Sequence, residues 1–217
     1  MAAITAATTV PVAAQNTNFA SETVAACQSS ADLAALTDDF IKIGWTLSAP
    51  AELDDRAIRS YAATFLQNDL GYGDVPDPRI ASTWERALKN AAGARNLKQI
   101  EDSQKQDLWF VRTQTGSLLR VDSFENEIYG QVSCVIAFKD EDSPFTFEQL
   151  LGDSGRDPQS LPPVYHLRPQ GSEYNGLKRT LNGAILNTER ISAVADSEFD
   201  TASIYSTLTS KQAEKSE

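Results

Sequence analysis

The spacing of the apolar residues changes once along this chain, close to Asp107. Before that point apolar residues recur every three or four positions, as in Leu33, Leu36 and Phe40, which is the spacing of an amphipathic helix. After it they alternate with polar residues, most clearly over residues 128–138, as in a strand with one buried face. Helices followed by strands predict an α+β fold with N-terminal helices packed on one face of a mostly antiparallel sheet.

Helices are predicted at three places in the first half, each from its own boundary signals. One follows a capping segment at Ser29 and ends at Gly44. Another begins after Pro50, and a further one begins at Asp77 and ends at Gly93. Each of these segments carries an apolar stripe that needs a partner surface.

Strands are predicted in the second half from alternation and turn signals. They cover residues 108–111, 118–124, 128–138, 164–168, 174–181, 184–194 and 203–208. Thr115-Gly116 and Asn182-Gly183 are predicted turns, because glycine and asparagine tolerate a positive φ.

The length of 217 residues fits one domain. The helical half has few large apolar residues and needs the sheet to cover it. We therefore predict a single α+β domain over residues 21–209. Residues 1–20 are predicted to be a signal-peptide remnant or a disordered tail, and residues 210–217 a disordered tail.

The amino-terminal segment has some features of a signal peptide. Small residues at Val12 and Ala14 fit cleavage between Ala14 and Gln15. A signal peptide also needs a positively charged start, and the first basic residue here is Lys42. The preferred interpretation is the end of a signal peptide, which predicts a periplasmic or secreted protein. The alternative is the Ala/Thr-rich tail of a cytosolic protein.

The chain contains two cysteines, Cys27 and Cys134. An even number in an exported domain predicts one disulfide, which would stabilise the fold by about 4–5 kcal/mol if it acts on chain entropy. Cys134 alternates with Val132 and Ile136, so a helix packed on that face would bring Cys27 to it. The alternative is a pair of buried thiols.

Cys27, the helix after it, the Gly44-Trp45 pair and Cys134 in a later strand form a recognisable layout. It resembles small exported bacterial proteins of unknown function, which have a cysteine-bearing N-terminal helix, a Gly-Trp step and a second cysteine in a C-terminal sheet. The resemblance implies an exported protein and brings no activity with it.

Composition argues against several classes of partner. A net charge of −11 disfavours binding to nucleic acid. No run approaches the roughly 18 consecutive apolar residues of a membrane-spanning helix. Two cysteines and one histidine do not supply a four-ligand zinc site, and no cofactor or metal is predicted. The histidine, His166, is predicted to be half-exposed on a strand, with a pH-sensing or ligand role as the alternative.

Gly152-Asp153-Ser154-Gly155 resembles the segment around the nucleophile of chymotrypsin-like proteases. The match breaks at Arg156, and His166 follows Ser154, whereas that family places its histidine far upstream. Ordinary turn chemistry is the preferred interpretation of these residues. No catalytic residue is predicted.

Acidic residues cluster at Asp38-Asp39, Asp54-Asp55 and Asp140-Glu141-Asp142. The first two fit solvated helix faces or helix starts. The third is either a polar turn or a set of oxygen ligands for a hard cation, although it lacks the spacing of a calcium loop.

Tyr72 and Trp84 are candidate residues for the lip of a ligand site. Tyr72 lies in the loop Gly71-Tyr72-Gly73, which is otherwise a plain helix connection. Trp84 falls on the apolar stripe of the third helix, and it could instead face an anionic partner together with Arg86 and Lys89.

These observations predict an exported, non-catalytic binding or interaction protein. A protein, peptide or lipid partner would lie on the sheet or in a groove between helix and sheet. The alternatives are a hydrolase that uses carboxylates or Ser154, and a subunit of a larger envelope assembly. A compact pocket with two or more converging ionisable groups would favour an enzyme.

Overall fold

The structure is a computed structural model that describes residues 12–30, 32–71, 75–97, 101–102, 105–126, 129–144, 157–174, 177–195 and 198–212. Within these residues nine strands form one antiparallel sheet, and helices pack against it. The α+β class predicted from the sequence is confirmed.

The helices described are α1 (Val12–Cys27), α2 (Leu33–Ile43), α3 (Asp55–Asp69), α4 (Asp77–Ala92) and α5 (Thr188–Ala195). The carboxylate of Asp32 accepts the N–H of Ala34 at 2.9 Å and starts α2, so the cap is Asp32 and not the predicted Ser29. Gly44 ends α2 with a φ of 112°, which an L side chain rarely adopts. Asp54 caps α3 in the same way as Asp32 caps α2.

The strands are β1 (Thr46–Ser48), β2 (Glu101–Asp102), β3 (Lys105–Val111), β4 (Leu118–Glu125), β5 (Tyr129–Lys139), β6 (Val164–His166), β7 (Gln170–Tyr174), β8 (Leu177–Leu186) and β9 (Thr201–Gln212). Their order across the sheet is β1-β3-β4-β5-β9-β8-β6, with β2 beside β3 and β7 beside β8. Two short strands thus lie along each outer long strand, which shortens the exposed edges.

The helices lie on both faces of the sheet. On β5, Cys134 and Ile136 pack with α1 and α2, whereas Ala137 packs with α3 and α4. The sequence analysis had placed the helices on one face. Alternation explains the difference, because Ala137 points to the face of the sheet opposite to Cys134 and Ile136 and joins the core under α3 and α4.

The predicted disulfide between Cys27 and Cys134 is confirmed. The two Cα atoms lie 6.1 Å apart, and both residues are fully buried between α1 and β5. Trp45 strengthens the same contact, since its Nε1 donates to Thr23 Oγ1 at 2.9 Å and its ring lies 5.2 Å from that of Phe19. One covalent bond and a small aromatic cluster therefore hold α1 on the sheet.

Two predicted boundaries are wrong. Helix α1 begins at Val12 and buries Phe19 and Ala20, so residues 12–20 belong to the fold and not to a disordered tail. Strand β9 continues to Gln212, past the predicted end of the domain at residue 209. The predicted cleavage site after Ala14 falls in the first turn of α1, and residues 1–11 and 213–217 lie outside the described residues.

The predicted turn at Asn182-Gly183 is also wrong, because both residues lie inside β8. A Cβ on Gly183 would come within 2.8 Å of Leu167 Cδ1 and 3.1 Å of Tyr205 Cε1. The glycine therefore allows close packing across the sheet and does not mark a turn. The predicted strand 184–194 instead divides into the end of β8 and helix α5, which Asn187 caps by accepting the N–H of Arg190.

In the described part of the chain, none of the helices is long and apolar enough to cross a membrane.

Removing the disulfide tests how α1 is held. We expect the Cys27→Ala/Cys134→Ala variant to lose up to about 4–5 kcal/mol of unfolding free energy, because the longer unfolded chain regains its freedom. Urea denaturation without reductant, monitored by tryptophan fluorescence, measures this loss. An unchanged midpoint would show that packing alone holds α1.

Lys139, the last residue of β5, allows a test of how burial changes the pKa of a lysine in this fold. Its side chain is 3% exposed and pairs with Asp200. Burial, reinforced by repulsion from Arg59 and Arg56, lowers the pKa of Lys139 to about 8 from its ordinary 10.5. Between these two values the unfolded chain binds more protons than the folded one, so this lysine makes the fold more stable as the pH rises.

We therefore expect the unfolding free energy of wild type, measured relative to that of a Lys139→Met variant, to rise between pH 8 and pH 10. Urea denaturation of both proteins across this range measures the difference, and groups common to both proteins cancel. A difference that stays constant with pH would contradict the lowered pKa.

Candidate functional site

A groove of about 440 Å³ lies between α3 and the sheet. Its volume is within the range of small-molecule sites, roughly 300–1,000 Å³. The residues that line it are Tyr61, Thr64, Phe65, Gln67, Asn68, Gly71, Arg120, Val135, His166, Leu167, Pro169, Asn182, Gly183 and Ser206. Most of its polar atoms belong to amides and hydroxyls.

The floor of the groove is a row of side chains that crosses four strands. Arg120 on β4 pairs with Val135 on β5, which pairs with Ser206 on β9, which pairs with Asn182 on β8. Directly paired residues of an antiparallel sheet present their side chains on the same face. This row therefore lies on the face that α3 covers, one step beyond the apolar row that includes Leu118 and Ala137.

Helix α3 forms the wall of the groove. Its buried residues, such as Ala62 and Leu66, pack on the apolar part of the sheet, while Tyr61, Phe65 and Asn68 line the groove. The chain after the helix is fixed at Gly71, whose carbonyl oxygen lies 3.1 Å from Nε2 of His166 on β6. That hydrogen bond ties the end of the wall to the edge of the sheet.

Arg120 is held at one end of the groove by two carboxylates. Its Nε and Nη2 donate to Asp107 at 3.1 and 3.3 Å, and Nη2 also donates to Asp122 at 2.8 Å. Burial by itself would lower the pKa of Arg120, but the hydrogen bonds to Asp107 and the charge of Asp122 hold it above its ordinary value. The guanidinium is therefore permanently charged, and the three groups together carry a net charge of about −1 at neutral pH.

The same guanidinium positions Tyr61. Nη1 of Arg120 donates to Tyr61 Oη at 3.2 Å, and the ring stands edge-on to Trp109, with centroids 4.8 Å apart. Burial raises the pKa of Tyr61, so the phenol stays protonated at neutral pH. Because its oxygen accepts from Arg120, its own hydrogen remains as a donor whose direction is set by the neighbouring groups.

The structure brings few of the predicted site residues to this groove. His166 lines it, on a strand as predicted. Trp84 does not, and its assignment to a ligand lip is wrong: it is 1% exposed and packs edge-on against Phe199 at 5.0 Å. Trp84 lies on the apolar stripe of α4, and this stripe packs into the core. Tyr72 and Ser154 lie outside the described residues.

The acidic turn at residues 140–142 has a structural role. Asp142 is fully buried, accepts the hydroxyl of Ser117 at 2.6 Å and pairs with Arg112 and Thr115. These contacts join the turn after β5 to the hairpin between β3 and β4. Among the described residues, His, Cys, Asp and Glu form no group of three or more that could hold a metal ion.

The groove residues Tyr61, Arg120 and Asn182 were missed by the sequence analysis. Arg120 carried a usable signal, because a charged residue occupies the same strand face as the buried Leu118. Tyr61 looked like one more apolar position of a helix stripe. Asn182 was assigned to a turn that does not form.

No protein-family model, curated protein or solved structure matches this chain. The groove and its residues are therefore the basis on which a function is inferred.

The Arg120 cluster can be tested by stability. Replacing Arg120 with Met leaves Asp107, which is 8% exposed, without its main partner, and we expect a loss of about 1.5–3 kcal/mol in unfolding free energy. Adding Asp107→Leu should recover part of that loss, because the buried charge is then gone. Urea denaturation of both variants provides the comparison. If the Arg120→Met protein were as stable as wild type, water would be shown to replace Arg120 as the partner of Asp107, and the prediction would be contradicted.

Proposed function

We propose that this chain is an exported binding protein whose ligand occupies the groove between α3 and the sheet. The observation that carries the proposal is the pair of facing surfaces: Arg120, Ser206 and Asn182 on the floor, and Tyr61 on the α3 wall, whose hydroxyl oxygen accepts from Arg120. A fixed donor beside amide and hydroxyl groups is typical of a site that orients a ligand.

Export is supported by the disulfide. Both sulfur-bearing residues are fully buried, and the bond joins the first described helix to the central strand. Structural disulfides of this kind persist in oxidising compartments and are rare in reducing ones. The disulfide therefore favours a periplasmic or secreted location.

Binding without catalysis is favoured by the state of the ionisable groups. The groove does bring Tyr61 and Arg120 together, which is the arrangement that would favour an enzyme. However, Arg120 is engaged by two carboxylates and cannot transfer a proton, and the pKa of Tyr61 is raised away from neutrality. His166 has a structural hydrogen-bond partner in the carbonyl of Gly71. These groups hold positions and do not form an acid–base pair.

A ligand screen tests this function without assuming the class of the ligand. The cells of an expressing host are first fractionated, and the fraction that contains the protein reports its compartment. The intact mass measured without reductant then reports whether the disulfide has formed. A library of sugars, amino acids, short peptides, fatty acids and inorganic anions is then screened by ¹H–¹⁵N NMR. We expect at least one compound to shift the amides of α3 and β8.

The matched variants are Asn182→Trp and Gln106→Trp. Asn182 is exposed at the β8 end of the floor row, so an indole there should block the ligand and abolish the shifts. Gln106 is exposed on β3 and lies on the strand positions that face α2, so its variant should bind as wild type does. Equal binding by both variants, or no compound that shifts groove residues, would contradict the proposal.

A further inference from the structure

Given that the groove is a binding site, we propose that its ligand is an uncharged, hydroxyl-rich molecule of the class of short neutral oligosaccharides. The inference rests on the proposed function and adds the chemistry of the ligand. Three features of the groove carry it: its charge, its hydrogen-bonding groups and its floor.

Charge disfavours ionic ligands. Among the described residues that line the groove, Arg120 is the permanent cation, and Asp107 and Asp122 already accept from it at 2.8–3.3 Å. An anion would have to displace these carboxylates within a chain of net charge −11. A cation would have to displace the guanidinium from the same carboxylates. A neutral ligand leaves the cluster intact.

The polar groups suit hydroxyls, each of which both donates and accepts. Tyr61 keeps a hydrogen to donate, because its oxygen accepts from Arg120. Thr64 donates to the carbonyl of Tyr61 at 2.7 Å and so presents its oxygen as an acceptor. The amides of Asn68 and Asn182 supply both kinds of group.

The apolar part of the groove suits the C–H faces of a sugar ring. The rings of Tyr61 and Phe65 lie 5.2 Å apart at 60° to each other along the wall, and Val135 lies on the floor. Such a mixture of aromatic surface and a few oriented polar groups is typical of small-ligand sites.

The floor argues against an extended peptide. Peptides that bind to sheets usually pair their backbone with an exposed edge strand. Here the floor strands β4, β5, β9 and β8 already pair with one another along the row, so side chains are the groups presented to a ligand. Side chains can satisfy the hydroxyls of a sugar, whereas a peptide backbone there would leave its own N–H and C=O groups poorly paired.

The experiment compares the labelled full-length protein on a glycan array and on a peptide array. The glycan array carries neutral, sialylated and sulfated oligosaccharides, and calorimetry with the best neutral glycan gives the affinity. We expect neutral glycans to bind. We expect Tyr61→Phe, which removes one hydroxyl, to weaken binding about 5- to 10-fold. The matched control is Tyr165→Phe, because Tyr165 is exposed on the opposite face of the sheet and does not line the groove.

Circular dichroism confirms that both tyrosine variants are folded. Three results would overturn the inference: no neutral glycan bound above the Asn182→Trp background, a preference for sialylated or sulfated glycans, or equal binding by Tyr61→Phe and wild type. Peptide binding that Asn182→Trp abolishes would overturn the sugar class and leave the binding function standing. A groove that binds nothing on either array or in the NMR screen would overturn both proposals.

Discussion

Strand β5 lies at the centre of the sheet with helices over both of its faces, and the rest of the structure is arranged around it. It pairs with β4 on one side and β9 on the other along nearly its whole length, so its backbone groups are satisfied within the sheet. Its even-numbered side chains pack with α1 and α2, whereas Ala137 on the opposite face packs with α3 and α4. A three-layer arrangement follows, with the two largest clusters of buried residues separated by the sheet.

The two layers are attached by different means. Helix α3 packs small residues such as Ala57, Ala62 and Ala63, all fully buried, and so approaches the sheet closely. Helix α1 has a less regular apolar pattern, and the bond between Cys27 and Cys134 compensates by fixing its C-terminal end. The difference between the two layers explains why the disulfide lies on the α1 side, where noncovalent packing contributes less to stability.

Local signals in the sequence predicted the core of the fold and missed the groove. Alternation predicted β4 and β5, because each has one strongly apolar face, and it predicted half of β9. Helix α1 was missed since its Ala/Thr-rich sequence resembles a signal peptide or a tail. The cysteine pair was predictable because no other cysteine was present to compete.

The groove itself depends on contacts that no local pattern records. Tyr61 and Arg120 are 59 positions apart and meet only when α3 crosses β4. Asn182 reaches the floor because Gly183 lets β8 continue straight past Leu167 and Tyr205, and the same Asn-Gly pair favours a turn when considered alone. Long-range packing thus overrode the turn preference at the position that matters most for the site.

The polar row under α3 is better explained by binding than by folding. A charged group held between two carboxylates in a partly buried site contributes little net stability, because desolvation offsets most of the attraction. An apolar row would have closed the space between α3 and the sheet and added buried surface. The chain instead keeps Arg120, Ser206 and Asn182 in line across the strands and uses two aspartates to hold the arginine. That arrangement forgoes apolar burial but maintains a groove with fixed hydrogen-bonding groups, as a ligand site requires.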